Sequence, residues 1–299
     1  MMTPGPSPDA HLITHEAMNT TFTLHVRSLD EKTAHAMARE CFDVVDWLES
    51  HLSRFIEGSD VSRINHLRAG ETLYLSEPCH QCLLLAMRAC TNTRGLFDIT
   101  LGTRIAHQKS GHIGPEPTLT GILTLHPDVA AITCESPGRE IDLGGIAKGF
   151  ALDQLQPVLN AWDATDTLVA AGASSFLACG PSAWPVELTG ERDRLPITLT
   201  HQALSASGTG IQGKHIVHPT GTGAMPSNPA TRVWVLSESA ALAEIWSTTL
   251  MLVAPQDMLD FISLNPDITA AYAEHHGHVQ PVVPPIENFF QSSIINLPS

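Results

Sequence analysis

The spacing of apolar residues along the chain predicts several helices. Between residues 37 and 55, apolar side chains recur at intervals of three and four, which places them on one helical face, and Asp30 stands where it can cap that helix. The alanine-rich, apolar stretch at 239–253 predicts a buried helix. Further helices are expected at 78–90 and 146–159.

Strand patterns alternate with these helices. Residues 21–26 alternate between polar and apolar, which is typical of a half-buried strand, and the small apolar residues at 168–180 predict a buried strand with a tight turn. A strand is also expected at 232–236, and a hairpin over 268–283 is expected to turn at Gly277. Because the elements follow no regular β-α-β repeat, they predict an α+β fold with mixed sheets and flanking helices.

Composition narrows the class of protein. The 299 residues allow one large domain or two ordinary ones, and no linker divides the chain cleanly. A hydrophobic content of 43% with only 16% charged residues excludes global disorder. The formal net charge of -15 argues against non-specific binding to nucleic acid. No apolar run is long enough to span a bilayer, so no membrane insertion is expected.

The two ends of the chain lack the periodicity of the middle. Residues 1–10 are polar and rich in proline, so no signal peptide is expected there. Residues 1–16 predict a flexible leader, and residues 284–299 predict an irregular tail. The cysteines include one Cys-x-x-C pair, Cys79 and Cys82, without a second pair to complete a metal site. Reduced thiols and a cytoplasmic location are therefore expected.

The segment Asp-Leu-Gly-Gly-Ile-Ala-Lys-Gly at 142–149 is the densest chemical signal in the chain. Its two glycines allow a ligand to approach the backbone, the free N–H groups at the start of the following helix can receive a phosphate, and Lys148 adds a positive charge. The spacing matches neither a Walker A loop nor a Gly-x-Gly-x-x-Gly loop. These residues alone leave two alternatives: a phosphate site, or a strand–turn–helix joint with a surface lysine.

A second glycine-rich segment, at 213–223, contains His215 and His218. Histidine is well suited to act as a base near neutral pH, so one interpretation is a loop that wraps a ligand. The other interpretation is an ordinary loop whose histidines bond to neighbouring carbonyl groups.

Glu244 and Thr248 stand four residues apart in the predicted apolar helix and therefore share one face. A carboxylate and a hydroxyl on that face could give Mg²⁺ two oxygen ligands. The alternative is a buried carboxylate that is hydrogen-bonded to a hydroxyl. In either case an unpaired charge on an apolar helix would be costly, so something is expected to compensate it.

Taken in this order, these segments resemble the FAD:protein FMN transferase family, often called ApbE, over most of the chain. The segment at 142–149 is almost identical to the family's Asp-Leu-Gly-Gly-Ile-Ala-Lys-Gly, which is the most specific of the motifs. The segment at 95–102 is similar to its Gly-x-Phe-Asp-x-Thr-x-Gly, and shorter similarities stand at 17–22 and 52–65. The resemblance implies a single flavin-binding domain of the ApbE type over 17–283.

The resemblance also implies a function and a set of site residues. It implies a Mg²⁺-dependent enzyme that moves FMN from FAD to a threonine or serine hydroxyl of an acceptor flavoprotein and releases AMP. The implied catalytic base is His215, and the implied Mg²⁺ ligands are Glu244, Thr248 and a backbone carbonyl near Gly145. Phe55 would lie against the flavin ring and Lys148 near the phosphates. The residues implied to contact FAD are Phe55, Asp98, Lys148, Ser207, Gly208 and His215.

Several positions depart from the family pattern. Glu244 stands where the family usually has Asp, and His218 replaces another Asp. Residues 173–175 read Ala-Ser-Ser in place of a Gly-Gly-Asp turn, and Asn19 replaces a Gly. Two other functions therefore remain open: an FAD-binding protein that has lost catalysis, and a hydrolase that cleaves the FAD pyrophosphate.

Overall fold

The computed structural model describes residues 1–5, 9–111, 114–208, 216–221, 225–226 and 230–283. The strands in this part of the chain are β1 (Met2–Pro4), β2 (His11–Ala17), β3 (Thr20–Val26), β4 (Thr72–Tyr74), β5 (Ile122–His126), β6 (Ala131–Ser136), β7 (Thr167–Ala171), β8 (Ser175–Cys179), β9 (Trp184–Thr189), β10 (Arg194–Leu199), β11 (Ala203–Gly208), β12 (Arg232–Ser237), β13 (Ala270–His275) and β14 (His278–Val283). The helices are α1 (Glu31–Leu52), α2 (Asp60–Ile64), α3 (Glu77–Asn92), α4 (Gly102–Lys109), α5 (Ala147–Gln154), α6 (Gln156–Ala161), α7 (Ala240–Leu250) and α8 (Met258–Ser263), with a short 3₁₀ turn at Pro255–Asp257.

An antiparallel sheet of eight strands forms the centre of the described fold, in the order β14-β13-β12-β11-β8-β7-β3-β2. Helices α1, α5 and α7 pack on one face, with α1 beside α5 and over β2. The three-stranded sheet β1-β9-β10 covers the other face and closes a second core around Trp184 and Trp234. A separate sheet, β4-β6-β5, lies beside α3, whose His80 Nε2 atom is 2.8 Å from the backbone oxygen of His126 in β5. The sequence-based prediction of an α+β fold is confirmed.

Strand β12 shows why the central sheet is apolar on both faces. Val233 and Val235 belong to the core under the helices, whereas Trp234 and Leu236 belong to the core under the sheet β1-β9-β10. Because successive side chains of a strand point to opposite faces, a strand covered on both sides must be apolar at every position. The predicted strand at 232–236 therefore carries a continuous apolar run rather than an alternating one.

The first helix begins and ends close to where the pattern placed it. The Asp30 carboxylate accepts hydrogen bonds from the backbone N–H groups of Lys32 and Thr33, which confirms it as the N-cap. The helix ends at Leu52, because Ser53 takes an extended conformation. Phe55, which the spacing had placed on the apolar face of this helix, lies beyond the helix and is 86% exposed.

Helices α5 and α7 approach each other closely where Gly149 faces the start of α7. A side-chain carbon at Gly149 would come within 2.3 Å of the backbone oxygen of Ala240, so this crossing requires glycine. The Asp153 carboxylate then accepts hydrogen bonds from Ser239 and from the backbone N–H of Ala240 at 2.6 and 2.8 Å, respectively. Burial raises the pKa of Asp153 despite these bonds. The predicted helix at 146–159 is divided in two, since α5 ends at Gln154 and Pro157 lies in the first turn of α6.

The first residues of the chain differ from the expected flexible leader. Within 1–16, strand β1 pairs with β9, and β2 forms the edge of the central sheet. Along β2, partly buried residues alternate with exposed ones such as Leu12, so the hydrophobic pattern of this edge strand is weak and easily overlooked. The expected hairpin at Gly277 is confirmed, whereas the predicted tail at 284–299 lies outside the described residues. No helix in the described ranges is both long and apolar enough to traverse a bilayer.

Candidate functional site

A cavity of about 470 Å³ opens between the loop after α1, the loop before α5, the end of β11 and one face of α7. The predicted site residues that line it are Phe55, Asp98, Gly145, Lys148, Ser207, Gly208, Glu244 and Thr248. Motifs that are far apart in the sequence thus meet around one space. His215, the predicted base, lies outside the described residues.

Two polar clamps hold the loop that precedes α5 against the wall of the cavity. Arg54 lies 3.0 Å from the Asp142 carboxylate and 2.6 Å from the Glu140 carboxylate. The Asn65 side chain donates to the backbone oxygen of Ile141 and accepts from its N–H, at 3.0 and 2.7 Å. The Asp142 carboxylate in turn accepts from the N–H of Gly144 at 2.8 Å. These contacts fix the glycine turn before any ligand binds, which favours precise positioning of a ligand.

Glu244 lies at the buried wall of the cavity and is 3% exposed. Its Oε1 atom is 2.7 Å from the Lys148 Nζ atom and also accepts a short hydrogen bond from the Ser175 hydroxyl. Its Oε2 atom is buried and has no hydrogen-bond partner among the described residues. The charge of this carboxylate is therefore compensated by Lys148. Lys148 thus supplies the compensating charge that the apolar helix indicated.

The predicted pair of Glu244 and Thr248 is not joined by a hydrogen bond in the described structure. The Thr248 hydroxyl instead lies 3.1 Å from the Ser207 hydroxyl, and Ser207 lies 2.9 Å from the hydroxyl of Ser247. The sequence left open a hydrogen bond between Glu244 and Thr248. In the structure, Ser175 is the hydroxyl residue that donates to Glu244. This face of α7 therefore presents the Glu244 carboxylate and the Thr248 hydroxyl to the cavity, and each is bonded to a different serine.

The donors around Glu244 fit a hard cation bound by few protein ligands. No group of three or more His, Cys, Asp or Glu side chains suited to a metal gathers anywhere in the described ranges. Mg²⁺, however, is commonly bound by one or two carboxylates together with water and substrate phosphates. The unpartnered Oε2 atom of Glu244 is a carboxylate oxygen of the kind that such a site would use. At Gly145, an added side-chain carbon would lie 3.6 Å from the Thr248 hydroxyl, so the backbone of Gly145 lies near this oxygen.

Phe55 and Asp98 lie on other parts of the cavity wall. Phe55 projects from the loop after α1, with the Arg54 guanidinium 5.8 Å from its ring centre. The Asp98 carboxylate accepts from the N–H and the hydroxyl of Thr100 at 2.8 and 2.6 Å, and lies 3.3 Å from Arg139. Asp98 is thus held in one orientation, whereas the Phe55 ring remains open to a ligand.

Of the second glycine-rich segment, the structure describes His218 but not His215. The Nδ1 atom of His218 lies 2.9 Å from the Thr220 hydroxyl. Partial burial lowers the pKa of His218, which favours the neutral ring at pH 7. The adjacent Ile216 and Val217 line the cavity, so this segment does reach the site.

Sequence reasoning missed three polar residues that shape the site. Arg54 fixes the glycine turn, Ser175 bonds to Glu244, and Arg232 lines the cavity while it pairs with Glu274 at 3.8 Å. Arg232 could have been noticed, because it is a lone charge at the start of an otherwise apolar strand. For Ser175 the signal was its place in the Ala-Ser-Ser departure at 173–175, although the sequence did not indicate Glu244 as its partner.

Comparison with known proteins decides the family. The model of the ApbE family matches residues 18–272. The chain belongs to the ApbE family. It is 24% identical over 258 residues to an FAD:protein FMN transferase of Klebsiella pneumoniae (strain 342), which covers 78% of this chain and 79% of that protein. It is 27% identical over 256 residues to an FAD:protein FMN transferase of Chlamydia muridarum, which covers 77% and 79%.

Solved structures of ApbE proteins share the fold. The apo form of the Pseudomonas stutzeri flavinyl transferase ApbE superimposes with a TM-score of 0.78 at 22% identity, over 91% of this chain and 94% of that chain. The flavin transferase ApbE of Vibrio cholerae gives a TM-score of 0.76 at 20% identity, over 92% and 96%. The single-domain ApbE-type fold expected from the motifs is therefore confirmed.

Proposed function

We propose that this ApbE-family chain is a Mg²⁺-dependent FAD:protein FMN transferase. It takes FAD as substrate, transfers FMN to a threonine or serine hydroxyl of an acceptor flavoprotein, and releases AMP. The observation that carries the proposal is the meeting of the family's motif residues around one cavity. The curated relatives that bear the name FAD:protein FMN transferase support the same reaction.

The cavity offers each part of FAD a distinct environment. Phe55 provides an open aromatic face for the flavin ring. Lys148 and the N–H groups at the start of α5 provide positive charge and donors for the pyrophosphate. Ser207 and Gly208, at the end of β11, form a small polar wall against which the dinucleotide can lie.

In the proposed reaction the acceptor hydroxyl oxygen attacks the phosphorus of the FMN half of FAD. A phosphoester bond forms, the bond to the AMP phosphate breaks, and AMP leaves. His215 is proposed to take the hydroxyl proton. Glu244, Thr248 and the backbone near Gly145 would hold Mg²⁺. A divalent cation held there would neutralise the pyrophosphate and favour attack at phosphorus.

The experiment that tests this proposal is an assay for AMP with FAD and Mg²⁺, with and without an acceptor peptide that contains threonine. AMP that appears only with the acceptor, together with flavin fluorescence bound covalently to the peptide, supports transfer. AMP without acceptor would instead support hydrolysis of the FAD pyrophosphate. Tight binding of FAD with no AMP under either condition would support a binding protein that has lost catalysis.

A further inference from the structure

The ion pair between Lys148 and Glu244 has a consequence for metal binding. Both side chains line the cavity, and the Lys148 Nζ atom lies 2.7 Å from Glu244 Oε1. Glu244 is the carboxylate that the proposed function assigns to Mg²⁺. In the protein without nucleotide, that carboxylate thus already carries a cationic partner.

The two partners differ in their freedom to move. The Glu244 side chain is 3% exposed on a helix packed beneath the central sheet, and Ser175 bonds to the same oxygen as Lys148. The Lys148 side chain is 20% exposed and reaches the carboxylate on a long flexible stem. If the ion pair opens, Lys148 is therefore the residue that moves into the cavity.

The charges set the direction of the effect. With Lys148 in place, the negative charge of Glu244 is balanced by one positive charge. A divalent cation at Oε2 would then lie close to the ammonium group in a poorly solvated wall, where like charges repel more strongly than in water. Binding of the cation is favoured only to the extent that Lys148 withdraws.

We infer that Lys148 is the resident counter-ion of Glu244 and competes with a divalent cation for that carboxylate. This inference rests on the metal site of the proposed function. It assigns Lys148 a role in setting the metal affinity of the nucleotide-free protein, in addition to any contact that it makes with phosphate.

Direct titration of the purified, nucleotide-free protein with Mn²⁺ tests the competition. Mn²⁺ accepts the same oxygen ligands as Mg²⁺, and its free form is measured by electron paramagnetic resonance. Lys148→Met should bind Mn²⁺ on the order of tenfold more tightly than the wild type, because the competing charge is gone. Lys148→Arg, which keeps the charge, should remain within about threefold of the wild type.

The matched control is Lys109→Met. Lys109 also lines the cavity, so this variant removes the same charge from the same cavity but not the ion pair. If Lys109→Met and Lys148→Met bind Mn²⁺ more tightly to the same degree, the effect is one of net charge and the competition is wrong. Unchanged or weaker Mn²⁺ binding by Lys148→Met would also contradict the competition. If Lys148→Met does not fold, as judged by circular dichroism, Lys148→Gln keeps a hydrogen-bond donor for Glu244 and carries the same expectation.

An absent metal site and an absent competition give different results in this titration. If none of the variants nor the wild type binds Mn²⁺, the metal site itself is wrong, and the Mg²⁺ dependence of the proposed function falls with this inference. If the wild type binds Mn²⁺ and Lys148→Met binds it equally well, the metal site stands and only the competition is wrong.

Discussion

The buried wall of the cavity and its open rim differ in how many contacts their side chains make within the protein. At the buried wall, Glu244 already has a lysine and a serine as partners and keeps one oxygen without any among the described residues. At the rim, Phe55 is 86% exposed and holds an aromatic ring in solvent. Changes at the wall are therefore expected to affect both stability and chemistry, whereas changes at the rim should affect ligand affinity alone.

The largest effect is expected from Glu244→Gln. This variant keeps the size of the side chain but removes the charge, so the dependence of turnover on Mg²⁺ should vanish and turnover should fall by roughly a hundredfold or more. AMP release measured over a range of Mg²⁺ concentrations checks this. The fold should survive, because Lys148 is partly exposed and can reach solvent.

Two further variants sharpen the result at Glu244. Glu244→Asp shortens the side chain by one methylene and introduces the residue that is usual in the family. This variant should keep or raise turnover. Asp60→Asn is the matched control, because Asp60 is a buried carboxylate that bonds to Ser76 and does not line the cavity. If Glu244→Gln retained full activity with the same Mg²⁺ requirement, Glu244 would be a structural partner of Lys148 and no metal ligand.

The second effect concerns Lys148 and the phosphates of the ligand. In EDTA, Lys148→Ala should weaken binding of FAD on the order of tenfold, because a charge-assisted contact with phosphate is lost. Binding of riboflavin, which has no phosphate, should change by less than about twofold. Flavin fluorescence titrations measure both affinities, and equal weakening of the two ligands would contradict a phosphate contact.

The wall and the rim also differ in how much of their structure the sequence could predict. Periodicity predicted α1 and α7, and the family motifs predicted which side chains would line one cavity. The partners of Glu244 were not predictable in this way, since an ion pair between two helices leaves no periodic signal. Periodicity alone did not show that Phe55 lies outside α1, because its spacing continues that of the helix past Ser53, where the helix ends.

The third effect is one of stability at the wall. Ser175→Ala removes the hydroxyl that donates to Glu244 Oε1 and should lower the free energy of unfolding by about 1.5–3 kcal/mol, the usual range for a hydrogen bond to a charged group. Urea denaturation measures the change. FAD affinity should stay close to that of the wild type, because Lys148 still holds the carboxylate. A loss of FAD affinity without a loss of stability would instead make Ser175 a ligand contact.

The smallest effect is expected at the rim, where Phe55→Ala should leave the free energy of unfolding unchanged within about 0.5 kcal/mol, as is usual for exposed positions. The ring makes little contact with the core, so its loss removes little buried surface. Riboflavin and FAD should both bind about tenfold more weakly, because stacking on an aromatic ring contributes about 0.5–1.5 kcal/mol beyond burial. Tyr74→Ala is the matched control, since Tyr74 is 74% exposed and does not line the cavity. A Phe55→Ala protein that unfolds more easily but binds flavin normally would make Phe55 a packing residue, and the contrast between wall and rim would disappear.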